Sequence, residues 1–365
     1  MLRKDLYNSH AIGAVSNAEE LKIMDFTMNL EILRGCRHTC SGCFVNRVNK
    51  VSESELSMAL KMAREFSELG LRFKECVISP TDFFSAANTQ SILLNPTFQE
   101  LFKFHNYTNL TCTGYFEKLD ISDIERVFDI IDDPKLFRDD MHFEFFVPLN
   151  AQKILDADTQ YEDNHFKILE WFENNTPRLI DWSFATNIYN DPILINNYAE
   201  LTTIIRDKYN TIIEFLPSFF RTNDHELIKK SLKIWSDFTS KAFTHENRSK
   251  ILFTASDLYH AGSNQFTLNF KDNNVYLSPF IYEQILYQND MMHIKDVSVD
   301  GITNKIKELQ LQQYKFSEKT NECNDCQFLA TCVGRNILSI MEYENINNCI
   351  YDRKTLDLFN RFDFK

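Results

Sequence analysis

The run that decides the fold is Asn29-Leu30-Glu31-Ile32-Leu33-Arg34-Gly35-Cys36-Arg37-His38-Thr39-Cys40-Ser41-Gly42-Cys43-Phe44. It begins as a strand-like stretch, Asn29–Leu33, and passes directly into three cysteines spaced C-x3-C-x2-C. Thiolates bind soft metals, and a four-iron cube takes one ligand per iron. Three cysteines in one short loop fill three corners and leave the fourth iron open. A zinc site is the competing reading. Zinc takes a fourth ligand nearby, and His38 sits inside the loop, where folding back to supply it is awkward.

Outward from this loop, short apolar runs alternate with amphipathic helical stretches. Ser52 and Glu55 are spaced as a capping box, Leu56, Leu60, Ala63 and Phe66 share one helical face, and Gly70 is a stop signal. Further strand-like runs are Glu75–Ile78, Asn109–Thr113, His142–Val147, Asp181–Ala185 and Ile212–Leu216, with helical patterns between them at Ile121–Ile131, Phe166–Phe172 and Ala199–Tyr209. A helical stretch at Leu227–Phe243 closes the series. Six strand–helix units in succession predict a parallel sheet, because parallel strands need crossover connections. The pattern suits a partial barrel or a doubly wound sheet, and either gathers ligands at the carboxyl ends of the strands. Cys36 to Cys43 follow the first strand at that end.

After residue 245 the pattern changes. Phe266–Phe270 and Val275–Leu277 read as a hairpin around Asp272, Asn273 and Asn274, and Ile302–Tyr314 as a helix. The organisation predicted is an N-terminal segment at 1–26, an α/β barrel-like domain at 27–245 and a small α+β domain at 246–365.

Composition bounds the rest. Hydrophobic residues make up 44 % of 365 residues and Phe occurs 32 times, ample for a sizeable core. The many phenylalanines, Phe83-Phe84 and Phe219-Phe220 among them, are read as core. A net charge of −13 argues against a basic track for nucleic acid and fits a basic or neutral peptide more easily. No run approaches the roughly 18 apolar residues of a membrane span. The start, Met1 to Gly13, lacks the apolar segment of a secretory signal. The chain is therefore expected in the cytoplasm, where cysteines serve as metal ligands or buried thiols.

Of nine cysteines, a second group reads Cys323-Asn324-Asp325-Cys326-Gln327-Phe328-Leu329-Ala330-Thr331-Cys332, with Cys349 further on. Four thiolates close a cubane or a zinc site completely, and the spacing alone does not choose between them.

With both groups in view, the chain resembles the radical S-adenosylmethionine superfamily, whose mark is the C-x3-C-x2-C loop after the first strand of a partial (β/α)6 TIM-like barrel. The resemblance implies that Cys36, Cys40 and Cys43 hold a [4Fe-4S] cluster. Its open iron would chelate the methionine moiety of S-adenosylmethionine, and one electron would then release a 5′-deoxyadenosyl radical. The aromatic residue usual before the third cysteine is replaced by Gly42, and Phe44 follows instead; Phe44 is a candidate adenine contact. Where the family often has Gly-Gly-Glu, this chain has Ser79-Pro80-Thr81-Asp82-Phe83-Phe84. Asp82, with Thr81 beside it, is the candidate for the methionine ammonium group, a charge-assisted contact. Thr113, in the turn after the third strand, and Asn187, after the fifth, are the remaining candidate cosubstrate residues.

The C-terminal part is similar to the SPASM/twitch extension of such enzymes. Ser278 and Asn336 stand where two ligands of that extension's first auxiliary cluster are expected. The resemblance therefore implies one auxiliary [4Fe-4S] cluster, on Cys323, Cys326, Cys332 and Cys349.

By the same resemblance, the chain is expected to be a peptide- or protein-modifying radical enzyme of the kind acting on ribosomally made peptides. Its electron donor would be a flavodoxin or ferredoxin. The segment before the barrel is read as too short for a leader-binding domain. The alternatives are radical chemistry on a small molecule such as a sugar, nucleoside or amino acid, and a non-catalytic iron–sulfur protein, which the altered Gly-Gly-Glu position motivates. Cys112, near the end of the third strand, is a candidate hydrogen-atom donor against the commoner fate of a buried structural thiol. Glu144 is expected to face the barrel interior, opposite in sense to Phe143 and Phe145.

Overall fold

In the strand Thr27-Met28-Asn29-Leu30-Glu31, polar and apolar residues alternate, so a pleated chain sends Thr27, Asn29 and Glu31 to one side and Met28 and Leu30 to the other. The computed structural model describes residues 25–38, 53–104, 109–187, 192–216, 265–271, 274–278 and 293–319. They fall into two compact units: 25–185 with 267–276, and a second whose described residues are 186–187, 192–216, 265–266, 277–278 and 293–319.

The first unit is α/β. Its strands are β1 (Asp25–Glu31), β2 (Arg72–Asp82), β3 (Asn109–Thr113), β4 (His142–Pro148) and β5 (Leu179–Asn187). β1 through β5 pair in sequence order, each parallel to the next. The parallel sense follows from the crossovers: α1 (Glu53–Glu68) joins β1 to β2, and α4 (Ile121–Ile131) lies between β3 and β4. Two shorter helices, α2 (Thr89–Leu93) and α3 (Pro96–Phe104), fill the β2–β3 connection. Before β5 come α5 (Ala151–Leu155) and α6 (Thr159–Asn175). Asn150 caps α5, accepting from the Lys153 N–H, and Asp158 caps α6, accepting from the Tyr161 N–H. Past Glu68, Gly70 adopts φ +76°, the left-handed turn that ends the helix where its sequence forecast a stop.

The hairpin expected in the C-terminal domain is present but joins this sheet. In order from β5, the strands run β5-β4-β3-β2-β1-β7-β8, with β7 at Gln265–Lys271 and β8 at Asn274–Ser278. A buried hydrogen bond, Asn29 Nδ2 donating to Asn269 Oδ1 at 2.9 Å, ties β1 to β7. Burying an amide costs free energy unless it is paired, so this hydrogen bond fixes how the hairpin meets the strand.

One face of the sheet is apolar and covered by helices. Phe143, Phe145 and Val147 alternate inward along β4 and are fully buried. α4 buries Ile124, Val127, Phe128 and Ile131, and α6 buries Tyr161, Ile168 and Phe172. The Phe145 and Phe172 rings stack at 5.5 Å, and Phe128 meets Phe143 at 5.7 Å. Phe83 and Phe84 are buried, as read from the sequence; Phe219 and Phe220 lie outside the described residues. Each such ring buries on the order of 2 kcal/mol of apolar surface, which makes the aromatic-rich composition a core-building device.

His165 is fully buried in this layer, its Nδ1–H donating to the Tyr161 carbonyl at 2.8 Å. Burial disfavours the charged ring and pushes its pKa below the usual 6.5. A depressed histidine contributes stability that is present above about 6.5 and lost as pH falls toward its folded value. Urea unfolding should therefore show wild-type stability dropping below pH 6.5 by up to about 1.4 kcal/mol per pH unit from this residue. In His165→Gln that slope should vanish; equal slopes in the two proteins would refute the assignment.

The second unit's described elements are α7 (Pro192–Tyr209), β6 (Ile213–Leu216) and α8 (Val299–Lys319). Pro192 opens α7, where its fixed φ and missing N–H cost nothing. Leu194, Leu201 and Ile205 form its buried stripe, and Ile302 and Ile306 that of α8. The domain boundary expected at residue 245 and the helix at Leu227–Phe243 lie outside the described residues. Among those described, no helix is long and apolar enough to cross a membrane.

Candidate functional site

At the carboxyl end of β1 the chain leaves the sheet through Ile32–His38, and the backbone of Ile32, Leu33 and Arg34 is held by β2 and the turn after it. The Leu33 N–H donates to the Ser79 carbonyl at 2.9 Å, and the Ala87 N–H to the Arg34 carbonyl at 2.9 Å. Asn88 bridges the same loop, its Oδ1 accepting from the Arg34 N–H and its Nδ2 donating to the Ile32 carbonyl. Between these anchors Gly35 takes φ +73°, a left-handed conformation that glycine adopts without penalty. A Cβ there would stand 2.6 Å from the Ala87 Cβ.

The half-buried Cys36 thiol follows, 4.0 Å from the Ser85 Oγ. Arg37 pairs with Asp123 of α4 at 2.7 Å. His38 is nearly buried, with Nε2 2.9 Å from Asp82 Oδ2 and its ring edge-on to Tyr115 at 4.7 Å. Cys40, Cys43 and Phe44 lie outside the described residues, as do Cys323, Cys326, Cys332 and Cys349. Among the described residues no three side chains form a metal-ligating group.

Asp82 sits where β2 departs from regular pairing. The register with β3 passes from Ile78 opposite Cys112 to Asp82 opposite Thr113, so Ser79, Pro80 and Thr81 are extra residues on β2. Such an irregularity re-aims side chains at a strand end. The Phe83 N–H donates to the Thr113 carbonyl at 2.8 Å, and the Gly114 N–H to the Phe146 carbonyl, knitting the ends of β2, β3 and β4. Thr81 Oγ1 is buried and has no hydrogen-bond partner among the described residues. A buried hydroxyl left unpaired costs on the order of 1–3 kcal/mol, so this atom suits a polar ligand. The Cys36 thiol leaves the sheet at the carboxyl end of the neighbouring strand β1.

Asp82 itself is fully occupied. Its Oδ1 accepts from the N–H groups of Phe84 (2.8 Å) and Ser85 (3.1 Å). Its Oδ2 accepts from the Tyr115 N–H (3.0 Å) and takes the His38 contact.

The other face of the sheet is polar. Glu75 of β2 accepts from Thr27 Oγ1 at 2.8 Å and Thr111 Oγ1 at 3.4 Å. Ser79 donates to Asn29 Oδ1 at 2.9 Å. Glu144, half-buried, lies on this face and accepts from Asn109 Nδ2 at 3.2 Å. In register, Thr111 faces Glu144 and Glu144 faces Asp181. Glu144 thus has the opposite sense to Phe143 and Phe145.

Cys112 is one residue from Thr111 and therefore on the other face, 1 % exposed among the helix-covered apolar residues. Burial first, then the nearby carboxylates Asp82 and Glu144, raises its thiol pKa well above the ordinary value, and burial does the same to Cys76. The strand's two-residue period turns the thiol away from the polar face.

Sequence reasoning missed Asn29, Glu75, Ser79, Asn88 and Asn269. A signal was there for Asn29: buried strands of parallel sheets are near-continuous hydrophobic runs, and polar residues every second position of β1 depart from that. Asn187 ends β5.

Searches against family models and curated proteins return no match. Solved structures do. Native anSMEcpe with bound AdoMet (S-adenosylmethionine) and a Kp18Cys peptide is similar at TM-score 0.54 and 14% identity, covering 92% of this chain and 96% of that one. The same protein with AdoMet alone gives 0.52 and 12%, over 92% and 95%. Streptococcus suis SuiB bound to its precursor peptide SuiA gives 0.45 and 14%, over 85% and 71%. At these identities the first two establish a shared fold.

Proposed function

We propose that this chain is a radical S-adenosylmethionine enzyme that modifies a peptide or protein. The observation that carries the reading is the cysteine loop itself. It leaves the carboxyl end of β1 through backbone and Asn88 hydrogen bonds, in a fold shared with a protein solved with AdoMet and a peptide. Cys36, Cys40 and Cys43 would hold a [4Fe-4S] cluster, and when bound it supplies the electron that cleaves S-adenosylmethionine to a 5′-deoxyadenosyl radical. Thr81 Oγ1 would donate to the cosubstrate at the end of β2, with Phe44, Thr113 and Asn187 as further contacts.

The polar face offers Glu144 and the Thr27–Glu75–Thr111 network to a substrate's hydrogen-bonding groups. A net charge of −13 favours a neutral or basic peptide. Cys112 has no part in this reading. Cys323, Cys326, Cys332 and Cys349 would hold one auxiliary cluster, and a flavodoxin or ferredoxin would supply electrons in a cytoplasmic setting.

The test is anaerobic. Chain reconstituted with iron and sulfide, reduced and given S-adenosylmethionine should form 5′-deoxyadenosine, with about eight irons per chain. Cys36→Ala should drop 5′-deoxyadenosine to background and iron to about four. No 5′-deoxyadenosine from the wild type would overturn the enzyme reading. Iron near four with bound zinc would overturn the second cluster alone. Mass spectrometry of a co-expressed candidate precursor peptide reads the substrate: an unchanged peptide alongside a modified small molecule would replace the peptide reading.

A further inference from the structure

We propose that Asp82 is a positioning residue for the cysteine loop, locking it through His38 rather than binding the ammonium group of S-adenosylmethionine. The inference rests on the function proposed above and concerns the same site. A carboxylate has roughly four lone-pair positions. Those of Asp82 are taken by the N–H groups of Phe84, Ser85 and Tyr115 and by His38 Nε2. An ammonium group would have to displace one of them. Because Oδ2 already accepts from a backbone N–H, the carboxylate is the acceptor toward the imidazole, and Nε2–H donates.

The geometry makes His38 a latch. It stands two residues after Cys36, so fixing its ring restrains the stretch that carries the Cys36 thiol. The ring is held in two directions, by the carboxylate at 2.9 Å and by the edge-on Tyr115 ring at 4.7 Å. Tyr115 is itself tied to Asp82 through its N–H. Asp82 therefore joins three segments: the loop after β1, the turn after β2 and the turn after β3. With His38 9 % and Asp82 3 % exposed at the side chain, water competes little for the contact. A preorganised loop presents its sulfurs without an ordering cost at each binding event.

Four variants of the full chain test this: His38→Ala, His38→Gln, Asp82→Asn and the double variant His38→Ala/Asp82→Asn. The first readout is the rate at which anaerobic, reconstituted protein loses to a chelator the iron that Cys36→Ala also lacks. The second is the KM for S-adenosylmethionine. His38→Ala and Asp82→Asn should each speed iron loss several-fold, and the double variant should be no faster than the worse single. His38→Gln, whose amide can replace the Nε2–H donor, should recover most of the retention. KM should change far less than iron retention in His38→Ala. Asp82→Asn also disturbs three backbone contacts and can misfold; His38→Ala leaves those contacts intact and carries the test alone.

Iron retention unchanged in His38→Ala overturns the proposal. So does normal retention in Asp82→Asn with a KM raised tenfold or more, the signature of an ammonium contact. A histidine nitrogen coupled to the cluster in electron spin resonance, lost in His38→Ala, also overturns it, because His38 would then be a metal ligand. A wild-type chain that holds no cluster removes the function proposed above and this inference with it; the other outcomes strike the inference alone.

Discussion

Gly35→Ala should destabilise the cysteine loop by about 3 kcal/mol and strip most of the iron from the centre proposed at Cys36, Cys40 and Cys43. Two costs add. At φ +73° an L-residue is strained by roughly 1–2 kcal/mol. The new methyl group also meets the Ala87 Cβ at 2.6 Å, and overpacking of this kind costs about 1–3 kcal/mol. Neither side can yield easily. The Arg34 carbonyl is bound to the Ala87 N–H, and Asn88 grips Arg34 and Ile32. The check is urea unfolding alongside iron per chain. Adding Ala87→Gly removes the contact and leaves the backbone strain, so the double variant should recover about half of the loss. Full stability and iron content in Gly35→Ala would show that the loop relaxes where the hydrogen bonds say it cannot.

The second large effect lies away from the site. Arg178→Ala should destabilise the chain by about 3–5 kcal/mol. The guanidinium is 1 % exposed and closes the junction between α4 and β5. Its Nε donates to Asp132 at 3.2 Å, Nη2 to the Ile131 carbonyl at 2.7 Å, and Nη1 to the Arg138 carbonyl. Removing it leaves two carbonyls and a carboxylate short of donors, and an unmade buried contact costs more than a made one contributes. Arg178→Lys should lose much of the same energy, because a point charge cannot serve three acceptors in one plane.

The pH dependence has a definite sign. Burial outweighs the Thr176 and Arg178 hydrogen bonds and raises the Asp132 pKa above its ordinary 3.8. A carboxyl raised by folding contributes stability that is present below 3.8 and lost as pH rises through its folded value. Without Arg178 the charged form is worse placed still. The Arg178→Ala deficit should therefore shrink as pH falls through the raised value at which Asp132 protonates. Urea midpoints at pH 7 and pH 4.5 measure it, and a deficit independent of pH would deny Asp132 its part.

Much of the fold was legible because it rests on local periodicity. The β3 run Asn109–Thr113 appears with the same bounds, and α4 at Ile121–Ile131 likewise. The sense of Glu144 was legible too, since it follows from a two-residue repeat within one strand. The same repeat sets the face that Cys112 takes. Its position near a strand end was read correctly, but which face it takes depends on its neighbours Thr111 and Thr113, and those turn it to the helices. The surroundings of Asp82 are not legible for another reason: the groups that fill its carboxylate come from residues 38, 84, 85 and 115, which no local pattern brings together. The hairpin was found where expected but with different company, paired to β1 through Asn29 and Asn269.

The sequence by itself determined the parallel β/α alternation and the placing of a thiol-rich turn after the first strand, because residue spacing and side-chain polarity act along the chain. Tertiary structure alone decided which carboxylate holds the histidine of that turn, which face each strand residue serves, and which sheet edge the late hairpin takes. Those outcomes depend on hydrogen-bond partners distant in sequence, and burial forces each such group to find one.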